Sequence, residues 1–269
     1  AKPQAYAPRD EAFLRLRGGI QERGPEGETI VLGQRHDLVY DEKGICVSEL
    51  QFVPAMLSIT VDYQAAKGGH FKWMVWAWRE TGEGYLVDYG KAMTRPEMLE
   101  VIQRRYPVIS GGEAIINAGL IDAGWDKDEI YRLCLEAQSI EPGIHRNIHP
   151  SMGFGGPRAP LSLRGKQFVI KEDVDRVSGE TMFLYEYHDF ATKVNFYVNR
   201  VWKRREPRVW FPWVLPQQLL DELTAERLEP VRSGGRSVQV WAEPTRPNDW
   251  GDCAKMQPLV WAAAVAEED

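Results

Sequence analysis

Residues 57–64 read LSITVDYQ, residues 71–78 FKWMVWAW and residues 85–90 YLVDYG, and this stretch decides the fold. In the first segment Leu57, Ile59 and Val61 alternate with Ser58, Thr60 and Asp62, the period of a strand with two distinct faces. The second is aromatic and β-branched, as strands are, and Gly68-Gly69 before it supplies a turn. Thr81-Gly82-Glu83-Gly84 supplies the next turn. Three strands joined by short turns predict an antiparallel meander.

Further along, RPEMLEVIQRR (95–105) predicts a helix, with Pro96 suited to its first turn. AIINAGLID (114–122) predicts a strand that ends at Asp122. Asp126 and Glu129 then form a capping pair for a helix whose apolar stripe is Ile130, Leu133, Cys134 and Ala137. Residues 140–180, rich in Gly and Pro, read as loop with short strands, and His145 and His149 fall in that loop. TMFLYEYHD predicts a strand, with Asp189 capping the helix FATKVNFYVNRVWK (190–203). QQLLDELTAER (217–227) predicts a short helix. CAKMQPLVWAAAVAEE (253–268) predicts a last one, broken or kinked at Pro258. This order suits an α/β fold with a mixed central sheet covered by helices on both faces.

Residues 1–54 differ from the rest, with turn clusters and only short apolar runs. They read as an extension or connecting segment before a domain at 55–269. The chain has 269 residues, 43% hydrophobic and 27% charged, ordinary for a globular protein. No run approaches the roughly 18 apolar residues of a membrane span. Cys46, Cys134 and Cys253 are widely separated and odd in number, which predicts buried thiols in a reducing cytoplasm. Net charge is −6, so any nucleic-acid contact must come from local patches. The richest basic run is Lys203-Arg204-Arg205.

The chemistry rests on acids. Asp62 and Asp122 each end an apolar strand, and Asp252 lies near the start of the last helix. Each alone has an ordinary reading as a turn or first-turn residue. Together, carboxylates at strand ends call for a counterion, and hard divalent cations are the usual one. A pair of such ions can activate water and stabilise a phosphodiester in flight, which predicts a metal-dependent nuclease. Asp249 competes with Asp252 for the third position. Asp88 reads as a turn residue, and Lys255 as a surface lysine or an orienting cation. His188 and Asp189 are adjacent in a predicted strand and so do not form a dyad. The sequence holds no GxxxxGK[ST], GxSxG or HExxH.

With these residues quoted, the chain resembles the nuclease domain of tailed-phage terminase large subunits, closest to the GpA type. The resemblance runs in order through VDYQ (61–64), FKWMVWAW, YLVDYG, IDAGWDKDEIYRLC (121–134), LTAER (223–227), VQVWAE and NDWGDCAKM (248–256). It implies an RNase H-like fold and an endonuclease using two Mg²⁺ or Mn²⁺ ions to cut concatemeric viral DNA during packaging. Asp62, Asp122 and Asp252 are then the metal ligands, with Asp249 as the substitute for Asp252. Lys203, Arg204, Arg205 and Lys255 would meet double-stranded DNA without reading sequence. The implied partners are the terminase small subunit, the portal and an ATPase motor, and the implied location is the host cytoplasm. Two departures stand out: Pro258 inside the helix that should present Asp252, and no ATPase half. The alternatives are a resolvase- or transposase-type nuclease of the same fold, a non-catalytic docking domain, and a hydrolase built on His188 and Asp189.

Overall fold

The computed structural model describes residues 50, 52–65, 69–141, 147–155, 160–202, 205–212, 215–233, 236–242 and 247–268. The meander forms as the alternation requires. β1 (Met56–Gln64), β2 (His70–Trp78) and β3 (Gly84–Ala92) are successive antiparallel neighbours. Helix α1 (Arg95–Ile102) follows, capped by Thr94 and with Pro96 in its first turn. It stops short of the predicted end because Arg105 enters a short strand, β4 (Arg105–Pro107), paired with β5 (Glu113–Asp122).

β5 returns to the middle of the sheet and lies parallel to β1. Gly119 permits the close approach, since a Cβ there would sit 2.6 Å from the Ile59 carbonyl oxygen. Helix α2 (Lys127–Ser139) is capped by the Asp126 side chain, which accepts from the Glu129 N–H. β6 (Asn147–Phe154) then pairs in parallel with β5. His149 is therefore a strand residue in the sheet interior, not the loop residue its Gly- and Pro-rich setting suggests; His145 lies outside the described residues.

After a 3₁₀ turn at Leu161–Leu163 come β7 (Phe168–Val174) and β8 (Thr181–His188), with β8 parallel to β6. Helix α3 (Asp189–Lys193) continues into π-helical turns at Val194–Trp202. β9 (Val209–Trp210) adds to the β3 edge. Helix α4 (Gln217–Leu223) ends earlier than predicted: the Thr224 hydroxyl bonds back to the Leu220 carbonyl at 2.7 Å, and Arg227 opens the next strand. β10 (Arg227–Ser233) and β11 (Arg236–Ala242) form a separate hairpin. α5 (Asp249–Glu268) closes the fold.

The main sheet runs β7-β8-β6-β5-β1-β2-β3-β9, with β4 attached to β5. It is the mixed α/β sheet expected of an RNase H-like domain. Two apolar cores lie on its opposite faces. α1 and α2 cover one, with Leu57, Ile59, Val61 and Val75. α3, α4 and α5 cover the other, with Met74, Trp76, Trp78 and Leu120. Leu50 is packed into the first core and exchanges backbone hydrogen bonds with Pro107 and Ile109. Among the described residues no helix is long and apolar enough to cross a membrane. Cys134 and Cys253 are buried free thiols; Cys46 lies outside the described residues.

The polar face of β1 explains why α5 is continuous through Pro258. Ser58 and Thr60 point at this helix and are fully buried. The Trp78 indole donates to Ser58 Oγ at 2.7 Å, and Gln257 Nε2 donates to Thr60 Oγ1 at 2.9 Å and to the Met74 carbonyl at 3.0 Å. Ser58 in turn donates to Gln257 Oε1, and Thr60 to the Cys253 carbonyl at 2.8 Å. A satisfied buried network flanked by Cys253, Ala254, Met256 and Leu259 holds the helix where proline alone would break it. That clamp fixes the first turn of α5 against the end of β1.

Candidate active site

β1, β5, β6 and β8 run in the same direction, so their carboxyl ends share one edge of the sheet. In open α/β sheets ligands gather outside the carboxyl ends of parallel strands. Val61 pairs with Ile121, which sets Asp62 and Asp122 side by side on adjacent strands. Asp62 has the strand parity of Ser58 and Thr60, and Asp122 that of Ala118 and Leu120, so both carboxylates turn to the α5 face. The first turn of α5 brings Asp249 and Asp252 over them. The three acids chosen from sequence and the substitute Asp249 lie near enough for the charges of the other three to act on Asp62.

Their electrostatics separate into two kinds. Asp62 is buried, with one hydrogen bond, from Gln64 Nε2 at 2.6 Å. Burial, then the charges of Asp252 and Asp122, push its carboxyl well above the usual range. Asp122 is pushed up to about 6, chiefly by burial, although Lys255 and the Gly124 N–H pull the other way. The remaining acids have lysine partners. Lys255 is buried between Asp189 Oδ1 at 2.6 Å and Asp252 Oδ1 at 2.5 Å. Lys72 holds Glu222 at 2.6 Å and Asp249 at 2.8 Å, and Lys193 holds Glu226 at 2.8 Å and Asp189 at 3.3 Å. Asn248 Nδ2 bridges Glu226 and Asp252 at 3.0 and 3.2 Å.

Several sequence readings are corrected here. Lys255 is no surface lysine: it is buried, and its ammonium pairs with two carboxylates. Asp189 does not cap α3: His188 holds the cap position without a side-chain bond, and Asp189 begins the helix facing Lys255 and Lys193. Asp88 is no turn residue but a fully buried one within β3, bonded by Arg104 and the Tyr106 hydroxyl, each at 3.0 Å. Lys203 and Arg204 lie outside the described residues, while Arg205 is exposed. The sequence reading missed Lys72, Glu222, Glu226 and Asn248. Lys72 carried a signal, since it shares the inward parity of Met74, Trp76 and Trp78 in an otherwise apolar strand.

Would these residues suit divalent ions? All donors are carboxylate oxygens, the set that Mg²⁺ and Mn²⁺ prefer. Asp62 and Asp122 carry the repulsion that a cation would relieve. Gly124 keeps space open, because a Cβ there would lie 3.2 Å from Asp122 Oδ2. Among the described residues no three His, Cys, Asp or Glu groups already converge as a ligand set. The donor chemistry is nonetheless of the kind such an ion takes.

The family comparison decides the identity: the model for the terminase large subunit gpA endonuclease domain matches residues 22–267 of the 269. The chain belongs to that family. No curated protein matches it. As a terminase endonuclease domain, it has a nuclease role in phage DNA packaging.

The raised acids give a pH prediction for the metal-free terminase domain. Asp88 and Asp122 are both raised to about 6, chiefly by burial. A carboxyl that binds its proton more tightly when folded opposes folding once ionised. That cost is absent below the unfolded value near 3.8 and complete above 6. In EDTA the domain is expected to be more stable at pH 5 than at pH 7, by about 1 kcal/mol per group. His70, lowered by burial and by Lys91 and Lys72, acts in the opposite sense on the same interval. Thermal melts across this range check it, with Asp88→Asn and Asp122→Asn each flattening the slope. A parent whose melting temperature falls steadily from pH 7 to pH 5 would contradict it.

Proposed function

We propose that this domain is a divalent-metal-dependent DNA endonuclease that cuts concatemeric double-stranded viral DNA during packaging. Asp62, Asp122 and Asp252 would hold two Mg²⁺ or Mn²⁺ ions. The observation that carries the reading is the side-by-side placement of Asp62 and Asp122 on parallel strands, with Asp252 of α5 facing both. Bound there, the ions supply an activated water and charge stabilisation of the leaving oxygen.

This chain's own residues prepare that place. Burial keeps bulk water from Asp62 and strengthens its attraction for a cation. Gln64 fixes the carboxylate plane through Oδ2. Asn248 and Lys255 steer Asp252 from two sides, and Lys255 balances the local negative charge before an ion arrives. Asp249 and Asp252 are each held by a lysine, and Asp252 suits the third ligand better because its charge acts on both Asp62 and Asp122. Small-subunit, portal and ATPase-motor partners, and a host-cytoplasmic setting, belong to the same proposal.

The test is cleavage of supercoiled plasmid with Mg²⁺, Mn²⁺ or EDTA. Cutting that requires metal supports the reading. Cutting that survives chelation, or metal-indifferent DNA binding without cutting, would favour the hydrolase or docking alternatives instead.

A further inference from the structure

Beside the acidic edge lies a second feature of different character. A groove of about 930 Å³ opens between the 3₁₀ turn at 161–163 with its following loop and the face of α3 and its π-helical continuation. Among the described residues its lining contains no carboxylate, although the chain as a whole carries a net charge of −6. Leu163 is buried at its floor beside the half-buried Val194, and Phe190 is 37% exposed to it. Arg164 and Lys166 are exposed along its rim, and Asn195 adds an amide. Gln167 Nε2 and His188 Nδ1, both on lining residues, are buried without a hydrogen-bond partner. Such atoms cost free energy until something pairs with them.

The groove is joined to the site by the chain itself. His188 and Phe190 line it, while Asp189 between them reaches Lys255 and thereby Asp252. Three consecutive residues thus link the groove to the acidic edge. Its exposed chemistry has two parts: two cations for a polyanion and an aromatic ring for a planar group. Duplex DNA offers phosphates to such a surface but keeps its base faces stacked inside. An unpaired strand offers both.

We propose that this groove binds a single-stranded segment of DNA flanking the cleavage point, with Arg164 and Lys166 on its phosphates and Phe190 against a base. The proposal rests on the nuclease reading only for why DNA is present. The groove's preference for an unpaired strand is a separate, measurable property.

The experiment is fluorescence anisotropy in EDTA with a short single-stranded oligonucleotide and with a duplex of the same length. Parent, Arg164→Ala/Lys166→Ala and Phe190→Ala proteins are compared. The expected result is about a tenfold loss of single-strand affinity in the double variant, with the salt slope reduced by about 1.4 for two phosphate contacts. Phe190→Ala should weaken the single strand several-fold and the duplex little. Unchanged single-strand affinity in the double variant would overturn the proposal, and so would equal losses for single strand and duplex. A parent that binds as described but never cuts would sink the nuclease reading while leaving the groove assignment standing.

Discussion

Asp62→Asn and Asp122→Asn are each expected to abolish DNA cleavage while leaving the domain at least as stable as the parent. The two halves of this expectation have one cause. Both carboxyls sit above their usual range because burial and neighbouring acids oppose their ionisation. An uncharged amide of nearly the same shape removes that opposition, so the metal-free melting temperature should hold or rise. The same change deletes a ligand, and loss of several kcal/mol of transition-state stabilisation corresponds to about 10³-fold or more in rate. A third readout tightens the argument. Ions that bind only the folded parent should raise its stability by about 2.7 kcal/mol at a concentration 100-fold over Kd, and the variants should lose most of this gain. Variants that melt far below the parent would assign these acids to the scaffold instead.

The same measurements separate Asp249 from Asp252. Asp252→Asn should cost more cleavage than Asp249→Asn, because the Asp252 charge acts on both Asp62 and Asp122. The reverse order would exchange the two assignments.

How much of this was readable in the chain depends on whether the signal was local. The alternation in LSITVDYQ settles both faces of β1 at once, and Asp62 and Asp122 were legible because each follows an apolar run that has to be a strand. The Asp126 cap was equally local. Long-range partners were not readable. A lysine three residues after Asp252 looks like any helix-surface lysine until α3 brings Asp189 to it from 66 positions away. Asp88 looked like a turn residue because its partner Arg104 sits beyond α1. Pro258 signalled a break, and only the clamp through Ser58, Thr60 and Gln257 shows why packing prevails. His149 was misplaced because β6, paired on both edges, tolerates a Pro and a Gly that local rules assign to loops.

Lys72→Met is expected to be the most destabilising single change at this edge, by about 3–5 kcal/mol. Burial disfavours the Lys72 ammonium, yet Asp249 and Glu222 more than offset that and hold its pKa above the ordinary value. Glu222 is buried as well, receiving Lys72 through both oxygens at 2.6 and 2.8 Å and the Trp250 N–H at 3.2 Å. Removing the lysine strands that carboxylate without a cation, and an unpaired buried charge costs more than the pair itself contributes. For a domain of this size the loss corresponds to roughly 10 °C in melting temperature. Lys72→Met/Glu222→Gln should recover much of it, because both charges then leave together. If the double variant melts no higher than Lys72→Met alone, the lysine acts through packing on Trp250, whose ring lies 4.6 Å from its ammonium, and the charge argument fails. Freed of Lys72, Asp249 also gains reach toward Asp62. Divalent ions should therefore restore more stability to Lys72→Met than to the parent, which ties the scaffold of this edge to its chemistry.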